Sequence, residues 1–274
     1  MMYDVNFFLS KRRPAAICRA AFALIGKPMQ HRALFGSTFL ACIALAAAAP
    51  TATAGDTTAG DTTAAAPAAA APRSERGFQP LFDGHSLKGW HLYGQRGKPV
   101  AGWRVVDGAI VRSGPGGDLV SDRVYRDFEL RIEWKIAPGG NSGIFYRAAE
   151  TKAPIYRSAI EYQVLDDQRH PDAGNGRKRW ASAVYDLYPP AELVARPAGE
   201  WNQARIRVRG AQVEHWLNGV RVVAYRLGSA DWNARLAQSK FKDWPEFAAS
   251  RSGVIGLQDH GDEVAYRNIL IRPL

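Results

Sequence analysis

The stretch Arg126–Gly140, RDFELRIEWKIAPGG, decides the fold class. Phe128, Leu130, Ile132, Trp134 and Ile136 alternate in it with Glu129, Arg131, Glu133 and Lys135. Successive side chains of a strand point to opposite faces, so this period of two predicts a strand with one apolar and one solvated face. It stops at Pro138-Gly139-Gly140, where proline removes a ladder donor and glycine permits a turn. The pattern recurs on both sides. GWRVVDGAIVRSG (102–114) predicts a hairpin about Asp107-Gly108, and FQPLFDGHSLKGWHLYG (78–94) has turns at Asp83-Gly84 and Lys88-Gly89. WNQARIRVRG and AQVEHWLNGVRVVAYRL (201–227) predict strands turning at Gly210 and again at Asn218-Gly219. SGVIGLQDHGDEVAYRNILIRPL (252–274) closes the chain with two strands about Gly261-Asp262. Residues 231–250 are the only plausible helical piece. About a dozen short strands with glycine turns and little helix predict an all-β sandwich or jelly roll.

The first 72 residues do not read as part of that fold. Ala33–Ala49 is apolar and Ala-rich, preceded by Lys27, His31 and Arg32 and followed by Ala52-Thr53-Ala54. That is the order of a secretory signal peptide, too short and Ala-rich for a transmembrane span. Residues 1–54 are therefore expected to be a leader, with Met29 as an alternative start, and the domain to be periplasmic or secreted. Lys11-Arg12-Arg13 is a poor twin-arginine match. Both cysteines, Cys18 and Cys42, fall in the leader. A lipid anchor at Cys42 is disfavoured because the apolar run continues past it. Residues 55–76, with a repeated AGDTTA, read as a low-complexity linker, leaving 77–274 as the folded domain. Six basic and three acidic residues lie in 1–72, so +7 of the formal +10 belongs to the remainder. Those charges are scattered, as in Arg205, Arg207 and Arg209, and no nucleic-acid module accompanies them.

Chemistry concentrates in Asn141–Asp167, NSGIFYRAAETKAPIYRSAIEYQVLDD, which predicts two strands and a polar loop. In the second strand Ile160, Tyr162 and Val164 share one face, and Glu161, Gln163 and Leu165 the other. A carboxylate beside an amide suits a wet concave face, or else the exposed outer face of an antiparallel sheet. Gln168–Glu200 carries Pro171, Pro189, Pro190 and Pro197 and no sustained period. A loop of that length within a compact domain tends to be functional.

PLFDGHSLKGW, GGNSGIFYR, EYQVLDD, VYDLYPP, GEWNQARI, VEHWLNG and GLQDHGDEVAYRNI follow in that order. Together, over Phe78–Leu274, they resemble the 3-keto-disaccharide hydrolase domain family. Ala181-Ser182-Ala183 departs from the pattern where a glycine is expected. The resemblance implies a concanavalin-like jelly-roll sandwich of two antiparallel sheets. It also implies action on 3-keto-glycosides, carbohydrates whose hydroxyl at carbon 3 a partner oxidoreductase has oxidised.

An ordinary glycosidase flanks the scissile bond with two carboxylates, roughly 5 to 10 Å apart. From Glu161 the strand face continues as Gln163 and Leu165, so no pair is present on it. A 3-keto sugar needs none, because its ketone acidifies the proton on carbon 2 and one base can start an elimination. Glu161 and His260 are the candidate base and acid, in either order. Asn141 is the candidate donor to the ketone oxygen; Gln163 and Gln258 are expected to bind hydroxyls, with His215 of EHWLNG as a weaker candidate, and Arg147 and Tyr185 to line the cleft. Asn218 is a weaker candidate, since Asn218-Gly219 is also an ordinary hairpin turn. A divalent metal is possible, with Glu161, Asp166, His215 and His260 as ligand types, though no HxH, HExxH or CxxC spacing supports it. The rival readings are a non-catalytic carbohydrate-binding module, a conventional retaining or inverting glycosidase, and an accessory domain that docks the oxidoreductase.

Overall fold

The computed structural model describes residues 77–274. The expected leader, the expected linker and Cys42 lie outside the described residues. Thirteen strands form two antiparallel sheets. The larger contains β1 (Gln79–Pro80), β3 (Trp103–Val106), β4 (Ala109–Arg112), β6 (Phe128–Ile136), β9 (Asn202–Arg209), β10 (Gln212–Leu217), β11 (Val220–Arg226) and β13 (Val264–Pro273). Its order is β11-β10-β9-β6-β13-β4-β3, with β1 pairing β13. The smaller contains β2 (Trp90–Leu92), β5 (Leu119–Ser121), β7 (Asn141–Ala148), β8 (Ile160–Leu165) and β12 (Val254–Leu257), in the order β2-β5-β12-β7-β8. One helix, α1 (Ala230–Ala237), is capped by the Ser229 hydroxyl, which accepts from the Trp232 amide. It covers only the start of the expected helical piece. No helix among the described residues is long and apolar enough to cross a membrane.

The alternation in β6 is realised. Phe128, Leu130, Ile132, Trp134 and Ile136 point inward and meet Ile144, Tyr146, Tyr162, Val164 and Ile255 of the facing sheet. The turns at Asp107-Gly108 and Asn218-Gly219 both adopt the positive φ their residues favour. The other face of β6 is less solvated than its charges imply. Glu129 is 1% exposed and lies under Arg205 and Arg272, each at 2.8 Å, with Arg131 at 3.5 Å. A carboxylate leaves water here because three guanidinium groups replace its hydration.

The smaller sheet has two covered faces. Its inner face supplies the sandwich core; on the outer face Phe145, Val120 and Val254 pack with Ile155 and Ala159 in a second, smaller cluster. Strand β8 is an edge strand, and 182–185 covers its open side: the Ser182 amide donates to Gln163 O, Gln163 N to Ala183 O and Tyr185 N to Glu161 O. Between Gln168 and Glu200 only two short 3-10 turns form, Pro171–Asn175 and Arg177–Arg179, consistent with the proline content. The departure at Ala181-Ser182-Ala183 has a structural counterpart, since buried Ser182 holds φ at 69°, where glycine is least strained. Trp134 is fully buried at the centre of the sandwich. Trp134→Ala is expected to lower stability by about 3–5 kcal/mol in a denaturant titration, because the cavity lies between two sheets that cannot close on it.

Candidate functional site

Four strands of the smaller sheet bring polar residues to its outer face. Asn141 and Gly143 lie on β7, opposite Leu165 and Gln163 of β8, with Glu161 opposite Phe145. Gln258 follows β12 and donates its amide to Gly143 O, while Asp118 precedes β5. Glu161 is 8% exposed. Its carboxyl occupies the space a side chain on residue 143 would fill, because a Cβ there would stand 2.5 Å from Oε1. Glycine at 143 is therefore what lets the carboxylate lie flat on the sheet.

Burial raises the Glu161 pKa to about 8; the charges of Asp118 and Asp172 add to the rise, and Lys240 and a hydrogen bond from Gln258 oppose it. The Gln163 amide, turned so that its nitrogen faces the carboxylate, donates to Glu161 Oε1 at 3.2 Å and to Ser142 O at 3.0 Å. Gln163 is fully buried, so it orients Glu161 and is not exposed to bind a sugar hydroxyl as expected. Asp118 is itself raised to about 6, first by burial, although the Asp259 amide donates to it. A second carboxyl thus acts on Glu161, from a strand far away in sequence.

Lys240 enters from the segment after α1, with Nζ 4.2 Å from the centre of the Tyr185 ring. Its backbone is fixed by Asp186, whose Oδ2 accepts from the Lys240 amide at 2.9 Å. Surrounding protein lowers the Lys240 pKa, and the negative charge of Glu161 opposes this. The long loop supplies Asp172 and Tyr185. The Tyr185 hydroxyl donates to Asp172 at 2.9 Å, and Arg179 and Asn175 donate to the other carboxylate oxygen. Burial raises the Asp172 pKa, but these donors outweigh it and hold the group below the ordinary value.

His260 lies beyond the end of β12, in the turn before Gly261. It still reaches the same site. Its Nε2 is 3.4 Å from Asn141 Nδ2, and Asp172 and Lys240 act electrostatically on both His260 and Glu161. Desolvation lowers its pKa, so the ring is neutral near pH 7. Asn141, Glu161, Gln258, Tyr185 and His260 are thus brought together.

Besides that of Gln163, three expectations fail. Arg147 sits at the far end of β7, 3% exposed, with Nε donating to Arg126 O and Nη2 to Asp127 Oδ1 and Gly210 O. It fastens two turns and does not line the cleft. His215 is fully buried between the sheets, bonded to the Tyr146 hydroxyl and Ser182 O at 2.9 Å each, and desolvation lowers its pKa to about 4. Asp166 accepts from the Gly139 and Gln168 amides at 2.7 and 3.1 Å, a turn cap and not a ligand in waiting. Lys240, Asp118 and Asp172 went unseen in the sequence. Only the proline-rich loop gave a signal for any of them.

Open grooves of about 590 and 580 Å³ occupy the arginine-rich outer side of the larger sheet. Neither contains Glu161, Lys240 or Asp118, so charge and burial, not volume, distinguish the smaller sheet. The raised pKa of Glu161 carries a stability consequence. Between about pH 4.5 and 8 the folded chain holds a proton that the unfolded chain has released, so this group withdraws stability as pH rises through that window. Glu161→Gln lacks that loss. Its melting temperature relative to the parent should rise from about pH 5 to about pH 8.5, two values that bracket the window; a constant difference would contradict the displaced titration.

Residues 77–272 match the family model of the 3-keto-alpha-glucoside-1,2-lyase-like domain. A 3-keto-disaccharide hydrolase of Bacteroides thetaiotaomicron is 39% identical over 229 residues, covering 72% of this chain and 79% of the relative. Two crystal structures of candidate glycosyl hydrolases from Parabacteroides distasonis ATCC 8503 are also similar. The first is 34% identical with a TM-score of 0.67, over 72% of this chain and 94% of that one; the second is 25% identical with a TM-score of 0.57, over 72% and 99%. The chain belongs to the 3-keto-alpha-glucoside-1,2-lyase-like domain family.

Proposed function

We propose that the Glu161 site hydrolyses 3-keto-glycosides, by elimination followed by hydration. The observation that carries this reading is one buried carboxyl of raised pKa facing a cation and several amide donors. A proton on a carbon next to a ketone is weakly acidic, and a base of pKa near 8 is far better matched to it than an ordinary carboxylate. Glu161 takes the carbon-2 proton, and the electron pair passes onto the ketone oxygen as an enolate. The enolate collapses to re-form the ketone, a carbon 1–carbon 2 double bond forms, and the carbon 1–oxygen bond breaks. The departing oxygen keeps the bonding pair and takes a proton from solvent or from Lys240. Water then adds its oxygen to carbon 1 and gives up a proton to solvent or to Lys240, replacing the one spent on the departing oxygen, and Glu161 returns a proton to carbon 2, completing a net hydrolysis. Asn141 and His260, 3.4 Å apart, are assigned to the ketone oxygen, where negative charge develops.

Lys240 stabilises the carboxylate form of Glu161, partly offsetting the cost of burying it. The chemistry of the substrate supports an oxidoreductase as functional partner, because an oxidised carbon 3 must be supplied. The leader-like residues 1–54 support export to the periplasm or beyond. Asp118 favours a second reading, two-carboxylate hydrolysis of unoxidised glycosides, since it supplies the partner missing from β8.

Proton NMR of the purified protein with a 3-keto-glucoside in deuterated water tests the reading. Deuterium at carbon 2 together with aglycone release is expected, and Glu161→Gln should abolish both, by ~10²-fold or more, the usual scale for a lost acid–base group. Arg147→Met should lower stability by about 1–3 kcal/mol and leave turnover intact. Cleavage of an unoxidised glycoside lost in Asp118→Asn would favour the second reading; sugar binding unchanged by Glu161→Gln, with no turnover, would favour a binding module. Because Glu161 must be ionised to act as base, kcat/KM should rise with pH up to about 8 and level off above it. A fall over that range would assign Glu161 as the acid.

A further inference from the structure

The side chains beside Asn141 suit a ligand other than sugar. The donor atoms of His170, His260 and Asp262 lie within 4.8 Å of one another, contributed by the long loop and the turn after β12. The His170 and His260 rings meet edge to face, with centroids 6.1 Å apart. Asp262 Oδ2 accepts from the Asn141 amide at 2.9 Å, which orients the carboxylate and leaves Oδ1 available. A second, independent observation comes from Asn141 itself. The residue is 4% exposed and its Nδ2 stands against His260, while its Oδ1 is buried without a hydrogen-bond partner. A buried carbonyl oxygen without a donor calls for an explanation, and a cation at this point is one.

We propose that His170, His260 and Asp262 bind a first-row divalent transition-metal ion, with Asn141 Oδ1 as a further donor. Two imidazoles, a carboxylate and an amide oxygen are the ligand set of zinc, cobalt, manganese or iron, and a poor one for calcium or magnesium. Metal–ligand bonds of about 2.0–2.2 Å require donors about 3–4 Å apart, so small side-chain movements close the observed cluster onto an ion. Two contacts must be given up. The Asp172 amide donates to His170 Nδ1 at 3.1 Å and Asn141 Nδ2 stands 3.4 Å from His260 Nε2, whereas a metal-bound imidazole has no free acceptor nitrogen, so the Asn141 amide must also turn to present Oδ1. The site corrects the ligand set expected from sequence: His260 remains, Glu161 stays with its amides and Lys240, and His170 and Asp262 replace His215 and Asp166.

Resting on the function proposed above, an ion held by His170, His260 and Asp262 beside Asn141 would supply electrophilic stabilisation of the ketone oxygen, while Glu161 moves the proton.

The test is a titration of cobalt(II) chloride into tag-free full-length protein stripped with chelator, read by visible absorption and calorimetry. One ion per chain is expected, with visible cobalt bands typical of mixed nitrogen and oxygen ligands. His170→Gln and Asp262→Asn should each weaken binding at least ~10-fold, with unchanged circular dichroism. Both keep a polar side chain of similar size, and the amide oxygen introduced by Asp262→Asn can still accept from the Asn141 amide. Absence of saturable binding, or binding indifferent to both substitutions, overturns the metal site. Because the readout is the ion, it separates from the catalytic reading. Cobalt binding without turnover of a 3-keto-glucoside keeps the site and removes the reaction; turnover indifferent to chelator, with no cobalt bound, does the reverse.

Discussion

A carboxyl withdrawn from water must be surrounded by donors or keep its proton, and the smaller sheet is arranged around that constraint at Glu161. Gly143 gives the carboxylate room against the backbone. Gln163 and Gln258 supply neutral donors, Lys240 a positive charge, and Asp118 and Asp172 negative charge that pushes the other way. The balance leaves a group that changes protonation close to neutral pH. Abstraction of a proton from carbon asks for such a group. An ordinary exposed strand glutamate on the same face would be a hydrated anion and a far weaker base.

The long loop makes this environment possible. It covers the open edge of β8 through backbone bonds to Glu161 and Gln163, and it delivers Asp172, Tyr185 and His170 over the outer face. Ser182 at φ 69° and Asp186 at φ 60° are the strained points of that path. Asp186 repays its conformation by binding Lys178, Arg179 and the Lys240 backbone at once. The loop is therefore fastened by charge where it has no regular ladder, and the same fastening sets Lys240 over the Tyr185 ring. Loop order and site order are one property.

The larger sheet plays the opposite part. Its inner face fills the sandwich, and its outer face carries arginines in rows, with Glu129 buried among three of them. Much of the basic character of the domain resides there, at a distance from the chemistry. Buried polar groups elsewhere are structural: His215 joins Tyr146 and Ser182, and Arg147 ties two turns to β7. Residue type alone does not separate such groups from functional ones. Their partners do.

The sequence by itself determined the sandwich and the strand that carries Glu161. Alternation and turn chemistry are local: Phe128–Ile136, Asp107-Gly108 and Asn218-Gly219 state their conformations over a few residues, and Glu161 and Gln163 share a face by parity alone. Ordered motifs also fixed the family. Only the tertiary structure decided which polar residues meet. Asp118, Asp172, Lys240, His170 and Asp262 come from segments separated by tens of residues, and no local periodicity records that they converge. His215 and Arg147 were misread for the same reason. Whether a histidine or arginine faces a cleft or closes a buried hydrogen-bond network depends on which strands stack across from it. That is set by the pairing of β7 with β8 and β12 and by the packing of the two sheets, interactions that link distant parts of the chain.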